Sequence, residues 1–199
     1  ETAVAPSGFE QQAWSGILAI SANGTVTSTS SSNTTTTPLS WSHTVAAGSN
    51  RVMFVELAIG SSGTYAQAVS YGGVGMQLVG RTSSSDPVSV EIWRLVNPTV
   101  GTANVVASFS ATTAAAGGAT TYNGVDQTTP VRGGILVSAH GTGTTASVTV
   151  ASAPGDLVID AHSWQGMPIG GLPGSGQTVT WSQQNASITG GSTSEAGAA

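Results

Sequence analysis

Two aspartates and a histidine that are close in the sequence are the group that most resembles a catalytic or metal-binding cluster. Asp160 and His162 are two positions apart, so on an extended strand their side chains lie on the same face. One acid and one imidazole could act as an acid–base pair or bind a metal, but they are too few to specify either site. Asp156 follows Pro154-Gly155 and is interpreted as a turn residue. We therefore assign no catalytic or metal-binding residue.

Two glutamates lie within apolar, strand-like runs. Glu56 and Glu91 could form a carboxylate pair of the glycosidase type, but the sequence does not give their separation. Arg94 projects from an apolar face of its own strand. Because an unpaired charge on such a face is costly, we expect Glu56 and Arg94 to form a partly buried ion pair. We favour this structural interpretation over the catalytic one.

Several reaction classes are excluded by composition. All four basic residues are arginines, so the chain has no lysine for a P-loop or a Schiff base. There is no cysteine, which excludes disulfides, thiolate metal sites and cysteine nucleophiles. The sequence also lacks a Gly-x-Ser-x-Gly nucleophile elbow. We predict that the protein is not an enzyme and needs no cofactor.

The tryptophans offer the best binding hypothesis. An exposed indole ring can stack on the apolar face of a sugar, as in many carbohydrate-binding sandwiches. Trp164 is our candidate glycan contact, because it lies in a Ser-Trp-Gln-Gly-Met-Pro segment that we interpret as a loop. Packing within that loop is the alternative. Trp41 and Trp93 lie within alternating strands and are predicted to belong to the core.

The charge content points to a class of partner and a location. Only 7% of the 199 residues are charged, against about a quarter in typical proteins, and the net charge is −5. This balance argues against nucleic acid and anionic membranes as partners. No apolar run is long enough to span a membrane. A surface rich in Ser and Thr is typical of exported β-proteins, so we expect the protein outside the cell or on its surface.

The residue pattern of the remaining chain predicts β-strands arranged around one central strand. In Arg51–Ile59 both alternating faces are apolar except at Glu56, which is typical of a strand inside a packed sheet. No window sustains a helical period. The pattern predicts an all-β fold, a two-sheet antiparallel sandwich of jelly-roll or Ig-like type, over residues 38–199. Its other strands are predicted at Leu39–Val45, Ala66–Tyr71, Met76–Val79, Val88–Val96, Ala103–Ser110, Ala116–Tyr122, Ile135–Ala139, Ser147–Val150, Leu157–Ser163 and Gln177–Trp181.

Residues 1–37 form a compositionally distinct N-terminal arm. A short apolar patch is followed by a stretch of Ser, Thr, Asn and Gly. This second stretch is either a flexible leader or an extended strand that docks on a neighbouring domain. The apolar residues of the arm that could anchor it are Trp14, Ile17, Leu18, Ile20 and Val26.

Several short motifs occur in a fixed order from Leu39 onward. They are Trp41-Ser-His-Thr-Val, Gly48-Ser-Asn-Arg-Val, Val69-Ser-Tyr-Gly-Gly, Glu91-Ile-Trp-Arg-Leu-Val-Asn-Pro, Gly124-Val-Asp-Gln-Thr-Thr-Pro and Ser152-Ala-Pro-Gly-Asp-Leu-Val. Together they resemble a recurrent domain of secreted and surface-associated multidomain bacterial proteins. That resemblance implies an extracellular β-sandwich and supplies no catalytic residues.

The resembling domains continue beyond the position of Ala199 into one more strand. We therefore expect a sandwich with one open edge, which an extended segment of another chain could fill by donor-strand complementation. A shortened sequence is the alternative explanation. Our first functional expectation is a structural or adhesive subunit that assembles with copies of itself, or with neighbouring surface domains, into a filament or adhesin. The second is a carbohydrate-binding module with a polysaccharide ligand.

Overall fold

The computed structural model describes residues 19–32, 38–82, 87–132, 137–139, 147–165 and 173–198. Regular structure in these ranges consists of antiparallel strands, which confirms the predicted all-β sandwich. The strands are β1 (Ser21–Ala22), β2 (Thr27–Ser31), β3 (Leu39–Val45), β4 (Val52–Ile59), β5 (Ala66–Tyr71), β6 (Val74–Gly75), β7 (Gln77–Arg81), β8 (Ser89–Val96), β9 (Gly101–Phe109), β10 (Ala115–Asn123), β11 (Leu157–Ile159), β12 (His162–Gln165), β13 (Thr178–Gln184) and β14 (Ile188–Ala196).

The described strands form three sheets, whereas the sequence predicted two. The central sheet has the order β1-β10-β4-β8-β7, and β2 continues beside β10. The front sheet has the order β3-β9-β5-β6. In the back sheet, β14 is flanked by β11 and β12 on one side and by β13 on the other. Apolar clusters lie between the central sheet and each outer sheet, so the molecule is a three-layered sandwich.

The central position predicted for Arg51–Ile59 is confirmed by β4. This strand pairs with β10 on one side and β8 on the other, and all eight of its residues are buried. Met53, Val55, Leu57 and Ile59 pack toward the front sheet, whereas Val52, Phe54 and Ala58 pack toward the back sheet. A strand covered on both faces is apolar in both alternating sets, which is the pattern that the sequence shows.

Two adjacent glycines in β10 let a tryptophan approach the central sheet from each side. A Cβ atom at Gly117 would lie 2.9 Å from the Cη2 atom of Trp41 in the front sheet. One at Gly118 would lie 2.3 Å from the Cδ1 atom of Trp181 in the back sheet. Neither distance is compatible with a side chain, so the glycines are required by packing.

The predicted strands agree best in the front and central sheets. Leu39–Val45 and Ala66–Tyr71 match β3 and β5 in full. The predictions fail between β10 and β11, where neither 137–139 nor Ser147–Val150 is a strand. The rest of Ile135–Ala139 lies outside the described residues. Strand β14 was missed, because its Thr, Gly and Ser residues resemble a loop composition.

The described part of the N-terminal arm belongs to the sandwich of its own chain. Strands β1 and β2 pair antiparallel with β10, at Ser21–Ala22 and Thr27–Ser31. The boundary drawn after residue 37 therefore separates β2 from the sheet that contains it. Ile20 and Val26 contact the clusters between the central and back sheets. The other predicted anchors, Trp14, Ile17 and Leu18, lie outside the described residues.

Candidate functional site

A buried carboxyl joins the central sheet to the back sheet. Glu56 is 1% exposed, and its Oε2 atom accepts a hydrogen bond of 3.1 Å from the indole nitrogen of Trp181. Burial raises the pKa of Glu56 to about 8, and the bond from Trp181 opposes this shift only in part. The side chain is therefore neutral at pH values between the ordinary glutamate pKa and about 8, at which an exposed glutamate is ionised.

A second buried carboxyl lies against the front sheet. The Oε2 atom of Glu91 accepts a 2.8 Å bond from the indole nitrogen of Trp93, and its Oε1 atom accepts one of 3.0 Å from the backbone nitrogen of Ala66. Arg81 approaches the same Oε1 atom at 3.5 Å. Burial raises the pKa of Glu91, while these donors and the charge of Arg81 act in the opposite direction.

The two glutamates occupy opposite faces of the central sheet. The residue opposite Glu56 on β8 is Ile92, and the residue opposite Glu91 on β4 is Leu57. Since successive residues of a strand point to opposite faces, one carboxyl lies between the central and back sheets and the other between the central and front sheets. They do not flank a common cleft, so the glycosidase arrangement is not formed.

The predicted ion pair between Glu56 and Arg94 is also not formed among the described residues. Both side chains do lie on the same face, because Arg94 pairs with Phe54. However, the guanidinium group of Arg94 donates to Oε1 of Gln77 at 2.9 and 3.1 Å, near the edge of the central sheet. Glu56 is neutralised by a proton instead of by a cation, and its hydrogen bond comes from Trp181.

The predicted pair of Asp160 and His162 lies on the outer face of the back sheet. The Nδ1 atom of His162 is 3.4 Å from Oδ1 of Asp160, and the two side chains are 19% and 32% exposed. Asp160 accepts bonds of 2.8 Å from the backbone nitrogen of Thr193 and 2.6 Å from its hydroxyl. Burial alone would raise the pKa of Asp160, but the bonds from His162 and Thr193 outweigh it and lower that pKa.

The Asp160 carboxylate also explains why the predicted strand Leu157–Ser163 is divided in two. Its side chain accepts the backbone N–H of Thr193, which in a regular ladder would bond to a backbone carbonyl. Strand β11 ends before this residue and β12 begins after it. Sequence reasoning identified Asp160 and His162 but not Thr193, which is distant in the chain and lies in the missed strand β14.

Gln177 completes this cluster from the turn before β13. Its Nε2 atom donates to Oδ2 of Asp160 at 3.5 Å, and its Oε1 atom accepts a 2.7 Å bond from the backbone nitrogen of Gly174. The backbone nitrogen of Gln177 donates to the carbonyl of Gly174, which closes the turn. Gly176 allows this turn because its φ is +88°, a conformation that favours glycine.

Trp164 lies in strand β12, and not in a loop as the sequence predicted. It pairs with Thr189, and its ring is half-buried beside the ring of His162, with 4.6 Å between their centroids. The ring therefore lies on the outer face of the back sheet, two positions from His162. Trp41 and Trp93 are buried, as predicted, and Trp181 is buried as well.

Side chains of β2 bind to both outer sheets. Toward the front sheet, the hydroxyl of Thr27 accepts a 3.2 Å bond from the indole nitrogen of Trp41 and lies 2.8 Å from Nδ1 of His43. Toward the back sheet, the hydroxyl of Ser28 accepts from Nε2 of Gln183 at 2.9 Å. The carbonyl of Ser31 accepts from Nδ2 of Asn185, also at 2.9 Å. Strand β2 thus contacts all three layers, and we refer to this docked strand, Thr27–Ser31, as the β2 clasp.

The hydroxyl of Thr27 fixes the protonation of a buried histidine. The Thr27 hydroxyl accepts the indole N–H of Trp41, so its own proton is available to Nδ1 of His43. In that arrangement Nε2 of His43 carries the ring proton and faces the hydroxyl of Thr121 at 3.0 Å. Burial lowers the pKa of His43, which agrees with a neutral ring.

The motifs that carry the sequence resemblance lie partly in strands and partly in turns, and Trp41-Ser-His-Thr-Val belongs wholly to β3. Arg51 binds the side chain of Asn97 and the backbone carbonyls of Gly48 and Pro98, which joins two of these motifs at one corner. Asp126 caps the backbone nitrogens of Thr128 and Thr129. These bonds hold backbone segments in place, which indicates a structural role. Asp156 likewise occupies a turn, as predicted, where it binds Arg132.

The described residues contain no group of three or more side chains suited to a metal ion, and none of their helices could cross a membrane. No family model, curated protein or solved structure matches the chain. Two features of the described residues bear on function, the β2 clasp and the polar outer face of the back sheet.

Proposed function

We propose that the protein is an extracellular structural or adhesive subunit that assembles by strand complementation into a surface filament or adhesin. The observation that carries this proposal is the docking of β2. Five consecutive residues of the arm, Thr27–Ser31, pair with the edge of β10. The same edge can accept the β2 strand of another copy, because the backbone and hydroxyl groups that recognise it are identical in every copy.

The chemistry of the clasp favours exchange between copies. Strand β2 consists of Thr and Ser alone, and its hydrogen bonds can be replaced by water when it leaves. Polar strands with little apolar anchoring are prone to alternative pairing and domain swapping. The apolar contacts of the described arm are made by Ile20 and Val26, which precede β2. The residues of β2 bury no apolar side chain that would oppose release of the strand.

The low charge of the chain supports an extracellular location. Its solubility depends on hydroxyl and amide groups, since only 7% of residues are charged. Hydroxyl-rich surfaces also form many hydrogen bonds to neighbouring subunits without the cost of removing charges from water.

A proline substitution tests assembly through β2. Of two successive residues in an antiparallel strand, one donates its N–H to the neighbouring strand, so the double variant Ser28→Pro, Thr29→Pro removes at least one such donor. We expect the unaltered chain to form oligomers as its concentration rises, and this variant to lose them in light scattering after size exclusion. Thr25→Pro, outside β2, is the matched control. Oligomers that persist in the double variant would refute the proposal, as would an unaltered chain that stays monomeric.

A second candidate function is binding of a polysaccharide at Trp164. The observation that favours it is the position of this ring on the outer face of the back sheet beside His162. A sugar face could stack on the indole while its hydroxyls bond to nearby polar groups. We expect added polysaccharide to shift the tryptophan fluorescence, and Trp164→Ala to abolish the shift. Val179→Ala, at a position 46% exposed on β13, is the control. A shift retained in Trp164→Ala would exclude this site.

A further inference from the structure

Four groups on the outer face of the back sheet are arranged like the parts of an acyl-transfer site. The Thr193 hydroxyl donates to Oδ2 of Asp160 at 2.6 Å, and the Gln177 amide nitrogen donates to the same oxygen at 3.5 Å. A hydroxyl and a carboxamide that share one acceptor oxygen are close neighbours. The carbonyl oxygen of that carboxamide accepts the backbone N–H of Gly174 at 2.7 Å.

We propose that Thr193 and Gln177 form an intramolecular ester bond, with Asp160 as the base. The hydroxyl is the nucleophile and Cδ of Gln177 is the acyl carbon that it attacks. The N–H of Gly174 stabilises the negative charge that develops on Oε1 of Gln177 during attack. His162, with Nδ1 at 3.4 Å from Oδ1 of Asp160, orients the carboxylate.

The reaction balances without any further reactant. The bond from Oγ1 of Thr193 to Cδ of Gln177 forms, and the bond from Cδ to Nε2 of Gln177 breaks. The hydroxyl proton passes to Asp160 and from there to the departing nitrogen, which leaves as ammonia. Asp160 is placed to accept this proton because it already accepts the hydrogen bond of the hydroxyl, and its lowered pKa is consistent with an ionised carboxylate. In the structure the two side chains are separate groups that both contact Oδ2 of Asp160.

The consequence of the bond would be a covalent connection within the back sheet. Gln177 immediately precedes β13, and Thr193 lies opposite Val179 on β14. The ester would therefore close the β13–β14 hairpin across its open end and limit separation of the two strands. A chain without cysteine has no disulfide for this purpose. The ester would form through contacts within the back sheet and does not require assembly through β2.

Intact mass spectrometry of the folded full-length chain tests the proposal. Ester formation removes ammonia, so we expect a mass lower than the sequence mass by about 17 Da. After proteolysis, the peptides that contain Gln177 and Thr193 should be found joined, and hydroxylamine should separate them. A folded chain with the full sequence mass, and with these two peptides unlinked, would overturn the proposal.

Matched variants separate this reaction from other losses of ammonia. Asn23-Gly24 and Asn123-Gly124 could lose the same mass by forming a succinimide, in which case Thr193→Val would still show the loss. We expect the full sequence mass in Thr193→Val, Gln177→Ala and Asp160→Asn, and the lower mass in Thr193→Ser, which retains a hydroxyl. Gln177→Ala alters a half-buried side chain near a turn, so it remains informative if the other two variants fail to fold. A mass loss that persists in Gln177→Ala would refute the ester.

Discussion

The indole nitrogen of Trp181 lies 3.1 Å from the carboxyl of Glu56, although 125 positions separate them in the chain. This bond connects the back sheet to the central sheet. A second pair, Trp93 and Glu91, joins a tryptophan and a glutamate at the front interface. Each interface of the three-layered sandwich therefore contains one buried carboxyl that accepts an indole N–H. An unpaired carboxyl in either place would be strongly unfavourable. The bond from Trp181 to Glu56 therefore favours one placement of the back sheet on the central sheet, whereas Trp93 and Glu91 belong to the same strand.

The buried carboxyl of Glu56 should make stability depend on pH. Its pKa is raised to about 8 in the folded protein, so the unfolded chain ionises first as pH rises. The contribution of Glu56 to stability is therefore fully present below the ordinary glutamate pKa and falls by roughly 1.4 kcal/mol per pH unit until pH passes the folded pKa. Glu56→Gln should remove this part of the fall, while Glu91, whose pKa burial also raises, still contributes. The test measures the free energy of unfolding in urea for both proteins between pH 5 and pH 8. The same dependence of that free energy on pH in both proteins would contradict the account.

The contact between Gly118 and Trp181 should not tolerate a methyl group. A Cβ atom at position 118 would lie 2.3 Å from the indole ring, so Gly118→Ala must displace Trp181 or the back sheet. We expect a loss of about 3 kcal/mol in the free energy of unfolding. Gly75→Ala is the matched control, since no atom lies within 4 Å of a Cβ built there. Equal stabilities of the two variants would show that the back sheet does not pack as described.

The hydroxyl of Thr27 should contribute more to stability than other threonines of the arm. Thr27→Val keeps the shape of the side chain but leaves the indole nitrogen of Trp41 and Nδ1 of His43 without this partner. Leaving buried polar groups unpaired costs about 1–3 kcal/mol. Thr25→Val, at an exposed position outside the strand, should cost almost nothing. The free energies of unfolding in urea provide the comparison, and indistinguishable values would mean that β2 is not docked through Thr27.

The front and central sheets could be predicted because their strands carry the signals of burial. Strand β4 is apolar on both faces, and β3 alternates between buried and exposed positions along its full length. These patterns follow directly from which faces are covered. The strand predictions for Leu39–Val45 and Ala66–Tyr71 were accurate to the residue for the same reason.

The back sheet could not be predicted because small residues form it. Gly190 in β14 faces Ala58 and Ala116, and a Cβ there would lie 2.4 Å from Ala58. Close approach of two sheets selects glycine, which in sequence indicates a loop. The candidate site was likewise predicted only in part. Asp160 and His162 could be paired from their spacing, whereas Thr193 and Gln177 join them only through the fold.

Paired cysteines offer the most direct test of strand complementation. Ser30 lies opposite Ala116 across β2 and β10, and the chain has no other cysteine to interfere. The full-length double variant Ser30→Cys, Ala116→Cys would be refolded at high concentration, oxidised and separated without reductant. Each single-cysteine variant has one thiol and can therefore form at most a disulfide-linked dimer. If β2 is donated between copies, the double variant gives a ladder of trimers and longer species that disappears on reduction. If every disulfide lies within one chain and only monomers appear, the proposed assembly is wrong.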